Sequence, residues 1–152
     1  MSELATTIGA AMQHKKGVVW STAPEASVYE AIELMATRGI GALVVMQDGE
    51  LVGILSERDY ARKVILQGRS SKETQVAEIM SSPVICVSPR HTVGECMRVI
   101  TDNRIRHLPV MDNGAVVGMV SIGDLVNWVI REQETMIRHL EAYISGVASY
   151  GQ

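Results

Sequence analysis

Sliding the 152-residue sequence against itself by 65 positions aligns the 41 residues from Pro24 onward with those from Pro89 onward, without a gap, and 13 of them are identical. The identities fall at Pro24, Val28, Glu30, Ile40, Leu43, Val45, Met46, Gly49, Val52, Gly53, Ser56, Asp59 and Val64, each matched 65 residues on. They are spread over the whole unit, as duplication leaves them. A repeat constrains everything read afterwards, because each element and each chemical feature has to be sought in both copies.

Both copies spell the same string of elements. A short apolar run (18–20; 84–87) precedes a proline and reads as a strand. A helical pattern follows, with Val28, Ala31, Ile32 and Met35 in one copy and Val93, Cys96, Met97 and Ile100 in the other. Spacing of i, i+3, i+4, i+7 puts each set on one helix face. Two β-rich runs come next (40–46 and 51–55; 105–111 and 116–120), separated by Asp48-Gly49 and Asn113-Gly114. These dipeptides tolerate the positive φ of a two-residue hairpin turn. A second helix starts near Glu57 and Ile122, so the unit is β-α-β-β-α.

A unit of about 60 residues buries little surface alone, so the two copies are expected to pack as a pseudo-twofold pair in one α/β (α+β) module. The first copy, with an N-terminal segment, takes residues 1–72 and the second takes 73–130. Residues 68–73 read as the connecting loop, followed by a short helix through Val76 and Met80, with a weaker echo of that helix at 8–12. Residues 131–152 are a C-terminal helical extension. From Asp124 to Ile144 the helical pattern continues, with Val126, Val129, Ile130, Met136, Ile137, Leu140 and Ile144 recurring at threes and fours over roughly 30 Å of helix. That stripe needs a cover, either the chain's own domain or a second subunit, and its length favours a homodimer contact.

The strongest chemical signal is also duplicated. Ser56-Glu-Arg-Asp59 and Ser121-Ile-Gly-Asp124 each sit at a strand-to-helix junction. Serine three residues before an acidic residue resembles a helix capping box, which is a purely structural device. The same geometry suits a nucleotide: free N–H groups at a helix N-terminus attract phosphate, and an aspartate can accept hydrogen bonds from both hydroxyls of a ribose.

The repeated Gly-h-h-Ser-x-x-Asp junction (h, apolar), the Arg-Ile-Arg-His-Leu-Pro-Val string at 104–110 and the duplication itself resemble a tandem CBS-domain pair, the cystathionine-β-synthase-type module, over nearly the whole chain. The resemblance implies adenosine-containing ligands held between copies. Carried onto this sequence, it implies one site at Ser56, Arg58 and Asp59, with Val84, Ile85 and Cys86 against the base and Ile105, Arg106 and His107 opposite. A second would use Ser121, Gly123 and Asp124, with Trp20, Ser21 and Thr22 flanking the base and Gly39, Ile40, Gly41 and Ala42 opposite. Arg58, Arg106 and His107 of the first site correspond to Gly123, Gly41 and Ala42 of the second. An arginine pair suits phosphate oxygens as small residues cannot. The first site is therefore expected to take the more highly phosphorylated or dinucleotide ligand, and the second a nucleoside monophosphate or nothing. Lys15 and Lys16 either add phosphate contacts or form a solvated basic turn.

The expected function is a non-catalytic regulatory sensor of adenine nucleotides (AMP, ADP, ATP or NAD(H)/NADP(H)), passing occupancy to its own dimer or to a regulated partner protein. The alternatives are a ligand-free dimerising scaffold and a binder of S-adenosylmethionine. At 152 residues there is no room for the catalytic barrel of inosine-monophosphate dehydrogenase, which carries such a pair. No catalytic cofactor is expected, and no enzyme activity.

Other classes receive little support. A net charge of -3 is the wrong sign for neutralising many phosphates of a nucleic acid, and aromatics make up only 4%, with no Phe, so base-stacking platforms are scarce. Nine Met, with Val, Ile, Leu and Ala, must fill the core. His14, His91, His107 and His139 lack metal-site spacing, so no metal is expected. Cys86 and Cys96 read as buried, reduced thiols. No apolar run approaches a membrane span and the first residues do not form a signal peptide, which makes the cytoplasm the expected location.

Overall fold

A computed structural model of the chain describes residues 3–13, 15 and 17–150. In chain order the elements are a 3-10 turn (Glu3–Ala5), α1 (Ile8–Ala11), β1 (Ser21–Thr22), α2 (Val28–Arg38), β2 (Ala42–Gln47), β3 (Glu50–Ser56) and α3 (Glu57–Tyr60), which runs on into a π-helical turn (Ala61–Ile65). Then come α4 (Val76–Ile79), α5 (Val93–Asn103), β4 (His107–Asp112), β5 (Ala115–Ser121) and α6 (Ile122–Tyr150). The fold is α+β with two small sheets, and the helix–strand–strand–helix order of α2-β2-β3-α3 recurs as α5-β4-β5-α6.

The duplication extends to the helix ends. Ser27 caps α2 by accepting the Glu30 N–H at 3.1 Å, and Thr92 caps α5 by accepting the Glu95 N–H at 3.1 Å. Both helices end on a left-handed residue, Gly39 at φ 65° and its counterpart Arg104 at φ 54°. Glycine is the usual residue there because a Cβ is strained at positive φ, so the second copy keeps the cap geometry at a steric cost. The buried faces correspond one for one: Val28, Ala31 and Met35 in α2, Val93, Cys96 and Ile100 in α5. Ile32 and Met97, the fourth members of the expected stripes, are only half-buried.

Both hairpins turn where the dipeptides indicate. Asp48 and Gly49 have φ of 51° and 80°, and Asn113 and Gly114 of 51° and 78°. Two successive positive φ values match the right-handed twist of the flanking strands. β2 pairs antiparallel with β3, from Ala42↔Ser56 to Gln47↔Glu50, with a register shift between Val45 and Met46, while β1 pairs parallel to β2. β4 and β5 form a two-stranded sheet.

The first short strand of each copy differs from expectation. Regular pairing begins only at Ser21, after the apolar run 18–20. Residues 84–86 are irregular, and Val87 alone bridges to Val110, donating to the Pro109 carbonyl at 3.1 Å and accepting from the Met111 N–H at 2.8 Å. β-branched side chains favour extended backbone, but a strand exists only where a neighbour supplies a ladder.

Packing divides the chain into two compact units, Lys16–Val87 with Pro109–Met119, and Met1–Lys15 with Ser88–Leu108 and Val120–Gln152. The core of the first is built from Val28, Ala31, Met35, Leu43, Val45, Leu55, Val64, Val76 and Ile79. Buried residues of the second include Ile8, Val93, Cys96, Ile100, Leu108, Val120 and Leu125. In that unit the N-terminal segment is hydrogen-bonded in place: the Ile8 and Gly9 N–H groups donate to the carbonyls of His91 (2.7 Å) and Pro89 (2.9 Å), and the Val93 N–H donates to Thr6 (2.8 Å).

One matched glycine pair has diverged in its packing. A Cβ on Gly53 would lie 2.5 Å from the Met80 sulfur and 2.9 Å from its Cγ, whereas on Gly118 it would meet Val110 only at 3.9 Å. Gly53→Ala is therefore expected to cost about 1–3 kcal/mol through overpacking. Gly118→Ala should stay within about 0.5 kcal/mol of wild type. Urea unfolding of the two variants checks the contrast, and equal losses would contradict it.

α6 is 29 residues long and extends the helix read from 124–144 by two residues at its start and six at its end. It packs on α5 and on the 3-10 turn. Leu125 is fully buried, but Val126, Ile130, Met136, Ile137, Leu140, Tyr143 and Ile144 are 41–70% exposed. Among the described residues, no helix is long and apolar enough to cross a membrane.

Candidate functional site

The first junction is built where β3 ends and α3 begins. Ser56 leaves the strand in extended conformation and caps the helix, its Oγ accepting the Asp59 N–H at 3.2 Å. Asp59 reciprocates: its Oδ2 accepts from the Ser56 N–H and the Ser56 hydroxyl, both at 3.0 Å. The capping box is thus real. It holds the carboxylate half-buried in one orientation, with Oδ1 turned to other donors. Lys63, one helical turn on, lies 3.1 Å from Oδ1, and the Ser81 hydroxyl is 3.5 Å away. The Lys63 ammonium also donates to the Ile79 carbonyl at 2.9 Å, which fixes its position from two sides.

Ser81 reaches Asp59 because its backbone bridges to Ile54 of β3, with reciprocal N–H to carbonyl bonds of 3.1 and 2.9 Å. Val84, Ile85 and Cys86 follow in the same segment, in the same unit as Asp59. Val84 and Cys86 are half-buried, and Ile85 is 38% exposed. Burial pushes the Cys86 thiol up from its ordinary pKa. Burial and then the Glu95 charge push Cys96 up to about 11. Both thiols are free and held in the protonated, unreactive form at neutral pH.

The second junction repeats the box at the start of α6. Asp124 Oδ2 accepts the Ser121 N–H at 2.8 Å, and Ser121 Oγ accepts the Asp124 N–H at 3.0 Å. The cation, however, comes from elsewhere in the chain. The position matching Lys63 is Trp128, and the ammonium on Asp124 belongs to Lys15, 2.6 Å from Oδ2. Burial raises the Asp124 pKa, but the Lys15 ammonium and the Ser121 N–H outweigh it and hold the carboxyl below its ordinary value. Lys15 is therefore an ion-pair partner of the site rather than a member of a solvated basic turn. Lys16 lies outside the described residues, as does His14.

The helix start is pinned alike in both copies. The Glu57 N–H donates to the Gly41 carbonyl at 3.0 Å, and the Ile122 N–H donates to the Arg106 carbonyl at 2.9 Å. Ala42 pairs across the hairpin with Ser56. Gly123 is exposed and a Cβ there would meet only Ser121 Oγ, at 3.6 Å, so the position has room for a larger side chain. Of the remaining expected contacts, Ile105, Arg106 and His107 belong to the unit of Asp124. Trp20, Ser21, Thr22, Gly39, Ile40, Gly41 and Ala42 belong to that of Asp59. Trp20 packs on the edge of the core and carries the Arg38 guanidinium 4.0 Å from its ring centroid, a cation–π contact. His91 accepts the Ser88 N–H on Nδ1 at 2.9 Å.

Three residues of these sites carry no mark in the repeat. Lys63 lies at i+4 from Asp59, a spacing that does bring opposite charges together on a helix. Ser81 and the Lys15–Asp124 pairing, 109 residues apart, depend on tertiary structure alone.

Comparison with known proteins gives a consistent result. The family model for the CBS domain matches residues 16–65 and again 76–131. A mitochondrial CBS domain-containing protein of Arabidopsis thaliana is 47% identical over 133 residues, covering 84% of this chain, while the match spans 64% of that relative's length. The solved structure of a protein with CBS domains from Burkholderia ambifaria is 47% identical, covering 84% of this chain and 96% of that one, with a TM-score of 0.81. A hexameric CBS-CP12 protein from bloom-forming cyanobacteria is 28% identical, covering 81% and 67% of the two chains, with a TM-score of 0.73.

Proposed function

We propose that this chain, which belongs to the CBS-domain family, works as a non-catalytic sensor that binds adenine nucleotides through Asp59 and Asp124. The observation that carries the reading is the duplicated junction: a half-buried aspartate fixed by serine at a helix start, with a lysine on its carboxylate, occurring twice. An oriented carboxylate beside backbone N–H groups and an ammonium supplies acceptors for a ribose diol and donors for a phosphate. Arg58 gives the first site a further phosphate donor where the second has Gly123, so the ligand at Asp59 carries more phosphate, as a triphosphate or a dinucleotide such as NAD(H) does. The two reduced thiols fit a reducing compartment such as the cytoplasm.

A thermal-shift screen with AMP, ADP, ATP, NAD(H), NADP(H) and S-adenosylmethionine tests this. A ligand at about a hundredfold its Kd stabilises the folded state by about 2.7 kcal/mol, which raises the midpoint of a chain this size by roughly 5–10 °C. No shift with any of them at millimolar concentration would favour a second reading, a ligand-free scaffold. Its support is that both serine–aspartate pairs do cap their helices.

The sensor is also proposed to be a homodimer joined along α6. Val126, Ile130, Gln133, Ile137, Leu140 and Ile144 are spaced alternately by four and three, which makes isoleucine the residue at each a position of a heptad and Val, Gln and Leu those at d. β-branched a positions favour two parallel strands. Glu134 and Glu141 lie along one flank, at e, where an antiparallel partner would set acid against acid. A second copy in parallel orientation covers the stripe without that repulsion.

A further inference from the structure

We infer that Lys63 is a ligand residue of the Asp59 site, donating to the oxygen of a ribose hydroxyl whose proton Asp59 accepts, so that the site reads one hydroxyl from both sides and rejects the deoxynucleotide. This rests on the reading of Asp59 as a ribose-binding group and adds to it the residue that sets sugar specificity.

The lone pairs of Asp59 decide where a hydroxyl binds. A carboxylate oxygen accepts about two hydrogen bonds, and Oδ2 is filled by the N–H and the hydroxyl of Ser56, both at 3.0 Å. A ligand hydroxyl therefore has to approach Oδ1. There the described residues supply the Lys63 ammonium at 3.1 Å and the Ser81 hydroxyl at 3.5 Å, the latter at the long limit of a hydrogen bond. Oδ1 thus keeps one acceptor position that is at most weakly held.

The ammonium beside it has a donor to match. A lysine carries three N–H donors and no acceptor. Among the described residues Lys63 meets two acceptors, Asp59 Oδ1 at 3.1 Å and the Ile79 carbonyl at 2.9 Å, which leaves the third donor to water or a ligand. Its side chain is 45% exposed, so a ligand can reach it, and all of these residues belong to one compact unit. An oxygen placed against both groups gives its proton to Oδ1 and receives one from Nζ. Only a hydroxyl does both, because an ether oxygen has no proton to give and a C–H group has no lone pair. Each bond has a charged partner and is of the stronger kind. A ligand without the hydroxyl takes water from the carboxylate and the ammonium and returns nothing, which is how such sites discriminate. The matching position in the second copy is Trp128, which carries no charge, so the lysine one turn past the aspartate marks the first site alone.

The test uses the full chain with Asp124→Ala, so that calorimetry reads the Asp59 site, and compares ATP with 2′-deoxy-ATP and 3′-deoxy-ATP. At least one deoxy compound should bind about tenfold or more weaker than ATP, the scale of one hydrogen bond to a charged group. Adding Lys63→Met should shrink that ratio by about fivefold or more. The ligands share base and triphosphate, so a general loss of positive charge or of packing around Lys63 cancels in the ratio. Lys63→Gln keeps a neutral donor and should retain more of the ratio than Lys63→Met. A ratio unchanged in Lys63→Met, or ATP bound no better than both deoxy compounds, overturns the inference while leaving Asp59 a nucleotide ligand. If the Asp124→Ala protein binds ATP no better than the Asp59→Ala/Asp124→Ala protein, the underlying reading fails and takes this one with it.

Discussion

Asp59→Ala is expected to weaken ATP and NAD(H) binding by roughly 10- to 100-fold, the value of one or two charge-assisted hydrogen bonds, while monophosphate binding at Asp124 persists. Asp124→Ala should do the converse, removing the monophosphate step from a calorimetric titration and sparing the polyphosphate step. The asymmetry is carried by Arg58, which stands where the second copy has Gly123. Because Gly123 is exposed with room for a side chain, Gly123→Arg should move the phosphate preference of the second site toward that of the first. Asp59→Asn keeps the side chain's size and one acceptor, so a loss shared by the Ala and Asn variants assigns the effect to the charge. Identical phosphate preference in the two single aspartate variants would refute the distinction between sites.

Ile137→Asp combined with Leu140→Asp should convert the protein from twice its chain mass of 16.6 kDa to that mass in light scattering or sedimentation. The two side chains are 54% and 55% exposed in the single chain, so about half of each remains to be buried by a partner. At about 1.5–3 kcal/mol for a whole side chain, the four from two helices contribute about 3–6 kcal/mol. That is a factor of about 10² to 10⁴ in the dimer constant before any charge is buried in the seam. Because these positions are exposed within the chain, helix content and the unfolding midpoint of the resulting monomer should change little. A double variant that still sediments at twice the chain mass would remove α6 as the interface, and a sixfold mass in the wild type would point to assembly like that of the hexameric relative.

Much of the fold was legible because duplication made each element appear twice. Asp48-Gly49 and Asn113-Gly114 located both hairpins, since few other pairs accept two successive positive φ values. Val28, Ala31 and Met35 located a buried helix face that Val93, Cys96 and Ile100 repeat. The leading strands were harder: 84–87 has strand composition, yet only Val87 finds a ladder partner, and partners lie outside any local window. The site shows the same division. Ser56, Asp59, Ser121 and Asp124 stand out by spacing, because capping and phosphate binding both draw on the geometry of one helical turn. The lysines do not, since Lys15 lies 109 positions from Asp124 and meets it only once the chain between them has folded.

The two aspartates also differ in what lies mechanically downstream of them. Past Asp59 the regular helix stops at Tyr60 and relaxes through a π-helical turn that ends at Ile65. Past Asp124 the same kind of start continues unbroken to Tyr150, a stiff arm of about 43 Å from end to end. A reorientation of about 3° at the first turn of such an arm displaces its tip by about 2 Å, whereas the first copy dissipates the same motion within two turns. On the proposed reading of Asp124 as a ligand group, a turn at the start of α6 would be amplified toward the far end of that helix, an output that the short helix after Asp59 does not offer.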